Sequence, residues 1–306
     1  MRKTAGVVAA VCAVAWMGTL IHPVPVTAGQ DASSYTLVKD WAQLPDGKPW
    51  GVMSAVGVDA KGNVYGFVRA EPSSIMMFDG KGKYVRTFGD DSMMYAHGLM
   101  AMPDGTVWAT DRKVQQAFKF DANGKLIMTL GMKNMAGDMT SQDMFNGVSD
   151  VAVAANGDLF ISDGEGGNSR VVKLSKDGKF IKAWGSKGPG EGQFNTPHNI
   201  AIDHQGHVWV ADRGNKRLQE FDQDGKFMAQ FAQFGEPVSV AFDKNDTMYV
   251  ADGAPQNQMI IGKTDGTVLE TIHGLDNPHG ITVSEDGKTI YVSESFGKNI
   301  LKFVKK

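Results

Sequence analysis

The 306-residue sequence holds one cysteine, Cys12. No disulfide can form within the chain, and Cys-based metal sites and cysteine nucleophiles are excluded beyond the N-terminal stretch. Positive charge is not in excess, since 31 Lys and Arg stand against 34 Asp and Glu for a net charge of −3. The basic residues form no blocks, so the electrostatic footprint of a nucleic-acid binder is missing. After residue 28 there is no long apolar run, and no amphipathic helical pattern exceeds about two turns. What is abundant is glycine, 37 of 306 residues without a collagen period, well above the roughly 7% of an average protein. That composition describes a turn-rich globular chain, and the length suits a single large all-β domain.

The N-terminus reads as an export signal. Arg2 and Lys3 make a positive start, Ala5 to Leu20 an apolar core, and Val26-Thr27-Ala28 a small-residue cleavage site. The apolar core of about 16 residues is short for a spanning helix. Cleavage is expected after Ala28, leaving residues 29–306 as a secreted or periplasmic domain with no membrane attachment. Cys12 follows Val11 and not the small residue of a lipoprotein signal, so the exported chain is thiol-free, which suits an oxidising compartment.

Internal repetition dominates the remainder. Six segments share a short apolar strand, an Asp/Asn/Gly turn and a second strand, which in all but the first (54–69) ends in a small residue and an acid, among them HGLMAMPDGTVWATDR (97–112), HNIAIDHQGHVWVADR (198–213) and HGITVSEDGKTIYVSE (279–294). The turn residues Gly62, Gly105, Gly157, Gly206, Asp246 and Gly287 are spaced by 43, 52, 49, 40 and 41. Four strands at a period of 40 to 50 residues is the pattern of a propeller blade. The last repeat ends one strand short, at Phe303-Val304, while TLVKDWAQLPDG (36–47) resembles an outer strand. The expected fold is an all-β, six-bladed β-propeller in which the N-terminal strand closes the last blade and covers both open sheet edges.

Function has to be read from the site, because propellers serve many chemistries. Eight residues before each turn residue lie Ser54, His97, Ser149, His198, Val238 and His279. Histidine therefore occupies one structural position in blades two, four and six. Alternate blades are about 120° apart in a six-fold ring, so three imidazoles should converge on the axis as a three-His site with open positions, the ligand set of a catalytic zinc. His204, His207 and His273 read as surface residues. Seven residues after the turn glycine stand Arg69, Arg112 and Arg213, placed to ring the same mouth and hold a carboxylate. The sets Asp163/Asn168/Arg170 and Asp212/Asn215/Arg217 recur with the repeat and read as blade structure.

The repeats look like NHL repeats, and residues 45–304 resemble the peptidyl-α-hydroxyglycine α-amidating lyases (peptidylamidoglycolate lyases). PHNIAIDHQGHVWVADRGNKRLQEFD (197–222), YAHGLMAMPDGTVWATD, NPHGITVSEDG and GNSRVVKLSKDGKFIKAWG (167–185) carry the resemblance. It implies zinc on His97, His198 and His279, and substrate contacts from Arg69 and Arg213. Two positions depart from that family. Its catalytic tyrosine follows the SDG of blade three, where this chain has Glu165; its structural Ca2+ draws on an aspartate after the third histidine, where this chain has Gly280. Glu165 is either a replacement base beside the metal or a solvated loop residue, and calcium lacks its expected carboxylate.

Met132, Met135, Met139 and Met144 crowd one loop and Met93 and Met94 precede His97. They are soft ligands for Cu(I) or gap-filling side chains. The expectation for function is an exported, zinc-dependent, lyase-like or hydrolase-like monomer acting on a small carboxylate-bearing molecule or peptide. In that reading Arg69, Arg213 and Glu165 do the catalytic work and Arg112 helps bind substrate. The competing class is a non-catalytic propeller that binds protein or ligand.

Overall fold

The structure, a computed structural model, describes residues 33–45, 48 and 50–306; the expected signal at 1–28 lies outside them. Among the described residues, 24 strands form six four-stranded sheets. The inner strands are Val52–Val58, Ala96–Ala101, Val148–Val153, Pro197–Ile202, Pro237–Phe242 and Pro278–Val283. Each repeat segment supplies the inner two strands of one sheet. The fold is the six-bladed propeller that the repeats predict.

Turn chemistry explains why each repeat folds as a hairpin. In blade four Asp203 Oδ1 accepts the backbone N–H groups of Gln205 and His207, at 3.0 and 2.8 Å. Asp59 and Asp243 do the same in blades one and five. This Asx turn forces the next position into left-handed backbone, hence Gly206 at φ 87°. Blade five uses Asp246 there at φ 57°, a conformation that Asp and Asn tolerate better than other side chains.

Each blade is apolar on both faces and buries them against its two neighbours. Six hydrophobic clusters result, one at each blade interface. Trp108 packs between blades two and three, and Trp209 between four and five. The blade-structural sets behave as expected: Arg170 Nε donates to Asp163 Oδ2 at 2.9 Å and Arg217 Nε to Asp212 Oδ2 at 2.8 Å. Their remaining donors fasten loop carbonyls such as Met144 and Gln193.

The ring closes through its first strand. Tyr35–Val38 pairs antiparallel with Asn299–Lys305, Tyr35 opposite Lys305 and Val38 opposite Lys302. Buried Tyr35 donates its hydroxyl to Gly287 O at 2.6 Å and meets the Tyr249 hydroxyl of blade five at 3.1 Å. Tyr35→Ala is expected to cost about 3–5 kcal/mol, as truncation of a buried aromatic does, and to lower Tm by roughly 10 °C. Calorimetry showing an unchanged Tm would mean that the clasp does not hold the ring.

Candidate metal centre

The three histidines owe their aim to a backbone irregularity. In blade four Pro197 pairs with Asp212 and Asn199 with Ala211, leaving His198 as the unpaired residue of a β-bulge. His279 sits likewise between Pro278 and Gly280, and His97 in the corresponding slip of blade two. A bulge re-aims the extra side chain, here toward the axis. The acid ending the second strand of each of these three blades fixes the approach. Asp111 accepts the N–H groups of Met94 and Tyr95, Asp212 that of Asn195 at 2.7 Å, and Glu294 that of Asp276 at 2.6 Å.

Blades one, three and five carry the same bulge at Ser54, Ser149 and Val238. Their bulged carbonyls take the histidine Nδ1 groups: His97 meets Ser149 O at 2.8 Å, His198 meets Val238 O at 2.7 Å, and His279 meets Ser54 O at 2.6 Å. A carbonyl can only accept, so each Nδ1 carries the proton and each Nε2 keeps its lone pair. Ring centroids are 4.7, 5.3 and 4.9 Å apart. One nitrogen from each ring can be chosen so that all three lie within 4.8 Å of one another. Burial pushes all three pKa values down, for His198 and His279 well down, so the rings stay neutral. His198 Nε2 is buried with no hydrogen-bond partner. Neutral imidazoles locked by carbonyls, with converging lone pairs, fit one divalent cation.

The arginines expected at the mouth are at that end, and Glu165 lies among them. Arg112 Nη1 donates to Glu165 Oε2, which is 3.6 Å from His97 Nε2; Arg213 Nη1 is 3.7 Å from Oε1, which is 3.8 Å from His198 Nε2. Glu165 is thus a buried carboxylate, 7% exposed, and not a solvated loop residue. Burial alone would raise its pKa. The charge of the Arg213 guanidinium and the other polar contacts at the mouth outweigh this and hold the carboxyl well below its usual range. Arg112, expected to serve the substrate, is engaged by this partner. Arg69 donates Nε to Ala96 O at 2.9 Å, while its Nη2 is buried and unpartnered. Tyr95, unremarked in the sequence reading, lies between Arg69 and Arg112, whose Cζ atoms are 4.6 and 4.7 Å from its ring centroid. Its place two residues before His97 was the only signal.

On the other side of the imidazoles a cavity of about 430 Å³ runs along the inner strands toward Gln223 and Glu285. Beside the histidines it meets Asp150, whose Oδ1 is buried without a partner while Oδ2 accepts from Asn199. Gly280 occupies the same step in blade six, so the one carboxylate of this layer stands in blade three. The methionine loop divides: Met139 Sδ accepts the Ser169 N–H at 3.3 Å and Met93 is core, whereas Met132 and Met135 are exposed. His204 and His273 are exposed; His207 bonds Glu220 at 2.8 Å.

These features define an NHL-type propeller with a three-histidine centre. The NHL repeat model matches residues 194–221. Human NHL repeat-containing protein 3 is 30% identical over 296 residues, which cover 88% of this chain and 84% of that protein. The chain belongs to this NHL repeat family. The peptidyl-glycine alpha-amidating monooxygenase of Mus musculus is 32% identical over 256 residues, 76% of this chain. Only 26% of that protein is spanned, about a quarter of its length. Peptidyl-alpha-hydroxyglycine alpha-amidating lyase 2 of Drosophila melanogaster is 28% identical over 84% of this chain and 71% of its own. Among the described residues no helix is long and apolar enough to cross a membrane.

Two outcomes are expected. The chain should bind one divalent cation, and the His97→Ala/His279→Ala double variant should lose it by elemental analysis; retained stoichiometry would refute the site. Asp150, pushed up to about 7 by burial, holds its proton more tightly folded than unfolded. Its stabilising contribution is present in full below about pH 4 and is lost as pH rises through 7. The drop in Tm between pH 5 and pH 8 should therefore shrink in Asp150→Asn.

Proposed function

We propose that the chain is an exported, zinc-dependent lyase acting on a small or peptidyl α-hydroxyglycine-like carboxylate, and that it works as a monomer. The observation that carries this reading is the set of three carbonyl-locked, neutral histidines facing a mouth of arginines. The likeness to proteins named as amidating lyases supports the reaction class.

Zinc bound by His97, His198 and His279 would act as a Lewis acid on the substrate hydroxyl oxygen. The chain's own residues do the rest. Arg69, with its free Nη2, and Arg213, whose contact with Glu165 is a loose 3.7 Å, hold the substrate carboxylate. Tyr95 keeps Arg69 and Arg112 apart and oriented. Glu165 takes the hydroxyl proton as the C–O bond becomes a carbonyl and the C–N bond breaks, and passes that same proton to the departing amide nitrogen. A carboxylate in this role contributes about 10²–10⁴-fold.

The expected result is chelator-sensitive release of glyoxylate and an amidated peptide from an α-hydroxyglycine peptide. Arg69→Ala should raise KM about tenfold or more, through loss of a charge-assisted contact. A wild-type chain loaded with zinc yet without turnover would favour a non-catalytic ligand-binding propeller. Glu165 placed across Arg112 and Arg213 is the observation consistent with that second reading.

A further inference from the structure

Glu165 is in contact with two sets of partners at once. Its backbone N–H, held by Gly147 O at 2.8 Å, fixes the loop that delivers it. Its carboxylate oxygens lie 3.6 Å from His97 Nε2 and 3.8 Å from His198 Nε2, and the same oxygens face Arg112 and Arg213. Donor atoms sharing one cation at about 2.0–2.2 Å stand ~3–4 Å apart, and both distances fall in that range. The third histidine is not reached: the mutually close set contains only the three imidazoles. Glu165 Oε1 is meanwhile buried with no hydrogen-bond partner, as is His198 Nε2 3.8 Å away. Two unpartnered buried acceptors at that spacing mark a place for a positive charge between them.

We propose that Glu165 is a displaceable fourth ligand of the cation, shared between the three-histidine centre and the Arg112/Arg213 pair. With its carboxylate on the cation, the site has four protein ligands and is closed, as structural sites are; with the carboxylate on the arginines, it has three and is open. Arg112 is the competitor that sets the balance. The proposal rests on the metal-centred reading above and extends it: the fourth position opens to substrate when the carboxylate is held by Arg112 and Arg213.

The test is zinc titration by calorimetry on the metal-free chain, together with the visible spectrum of the Co2+-loaded chain. Glu165→Gln should weaken zinc at least tenfold and shift the Co2+ bands, with Glu165→Asp intermediate. Arg112→Met, which removes the competitor, should tighten zinc severalfold. Opposite signs are the signature, because a merely structural ion pair would make both variants move together. Affinity within twofold of wild type in Glu165→Gln with an unchanged spectrum, or weakening in both variants, overturns the proposal while the three-histidine site stands. Absence of zinc binding by the wild type overturns both. Thermal unfolding of each metal-free variant separates loss of fold from loss of ligand.

Discussion

Closure of the ring is the constraint on which everything else depends. A blade with two apolar faces is soluble only when both are covered, and a row of such blades satisfies its ends only by meeting itself. The pairing of Tyr35–Val38 with Asn299–Lys305 fastens that meeting with a ladder of hydrogen bonds, because one blade is then built from the first and the last strands. With six interfaces filled by six clusters, no blade can tilt without opening a cavity in two of them. The inner strands are thereby held at fixed angles about the axis.

The three-histidine centre uses that rigidity. A bulge recurs at one position in every blade, so six equivalent residues share one register around the axis. Even blades supply imidazoles and odd blades supply carbonyls, so each histidine is oriented by its neighbour across a blade interface. The ligand set and the groups that fix its tautomers are thus two halves of a single six-fold register. No loop has to order itself to assemble the site, which limits the conformational entropy lost on binding.

Charge at the mouth is balanced less symmetrically. Three arginines gather there, one blade apart between Arg69 and Arg112, and only Glu165 answers them among the ionised groups they touch. Stacking on Tyr95 lets two guanidiniums share one ring, a favourable contact for each cation. The arrangement leaves Arg69 with spare donors and Glu165 with a spare acceptor oxygen. That surplus points toward an anionic ligand and a bound cation together.

The amino-acid sequence determined the blade count, the hairpin turns, the closing strand and the shared register of His97, His198 and His279. These depend on local spacing: an Asx turn followed by Gly at a 40- to 52-residue period is legible without any knowledge of packing. It also placed Arg69, Arg112 and Arg213 at one end of the channel. What it left open was decided by contacts between blades. Glu165 reads as loop or base until blade three is set beside blades two and four, where Arg112, Arg213, His97 and His198 surround it. Tyr95 and Asp150 carry no periodic signal, and their roles come from a guanidinium stack and from a carboxylate buried at the axis. Period and turn chemistry act along the chain; burial and charge pairing act across it, and only the closed ring brings those partners within reach.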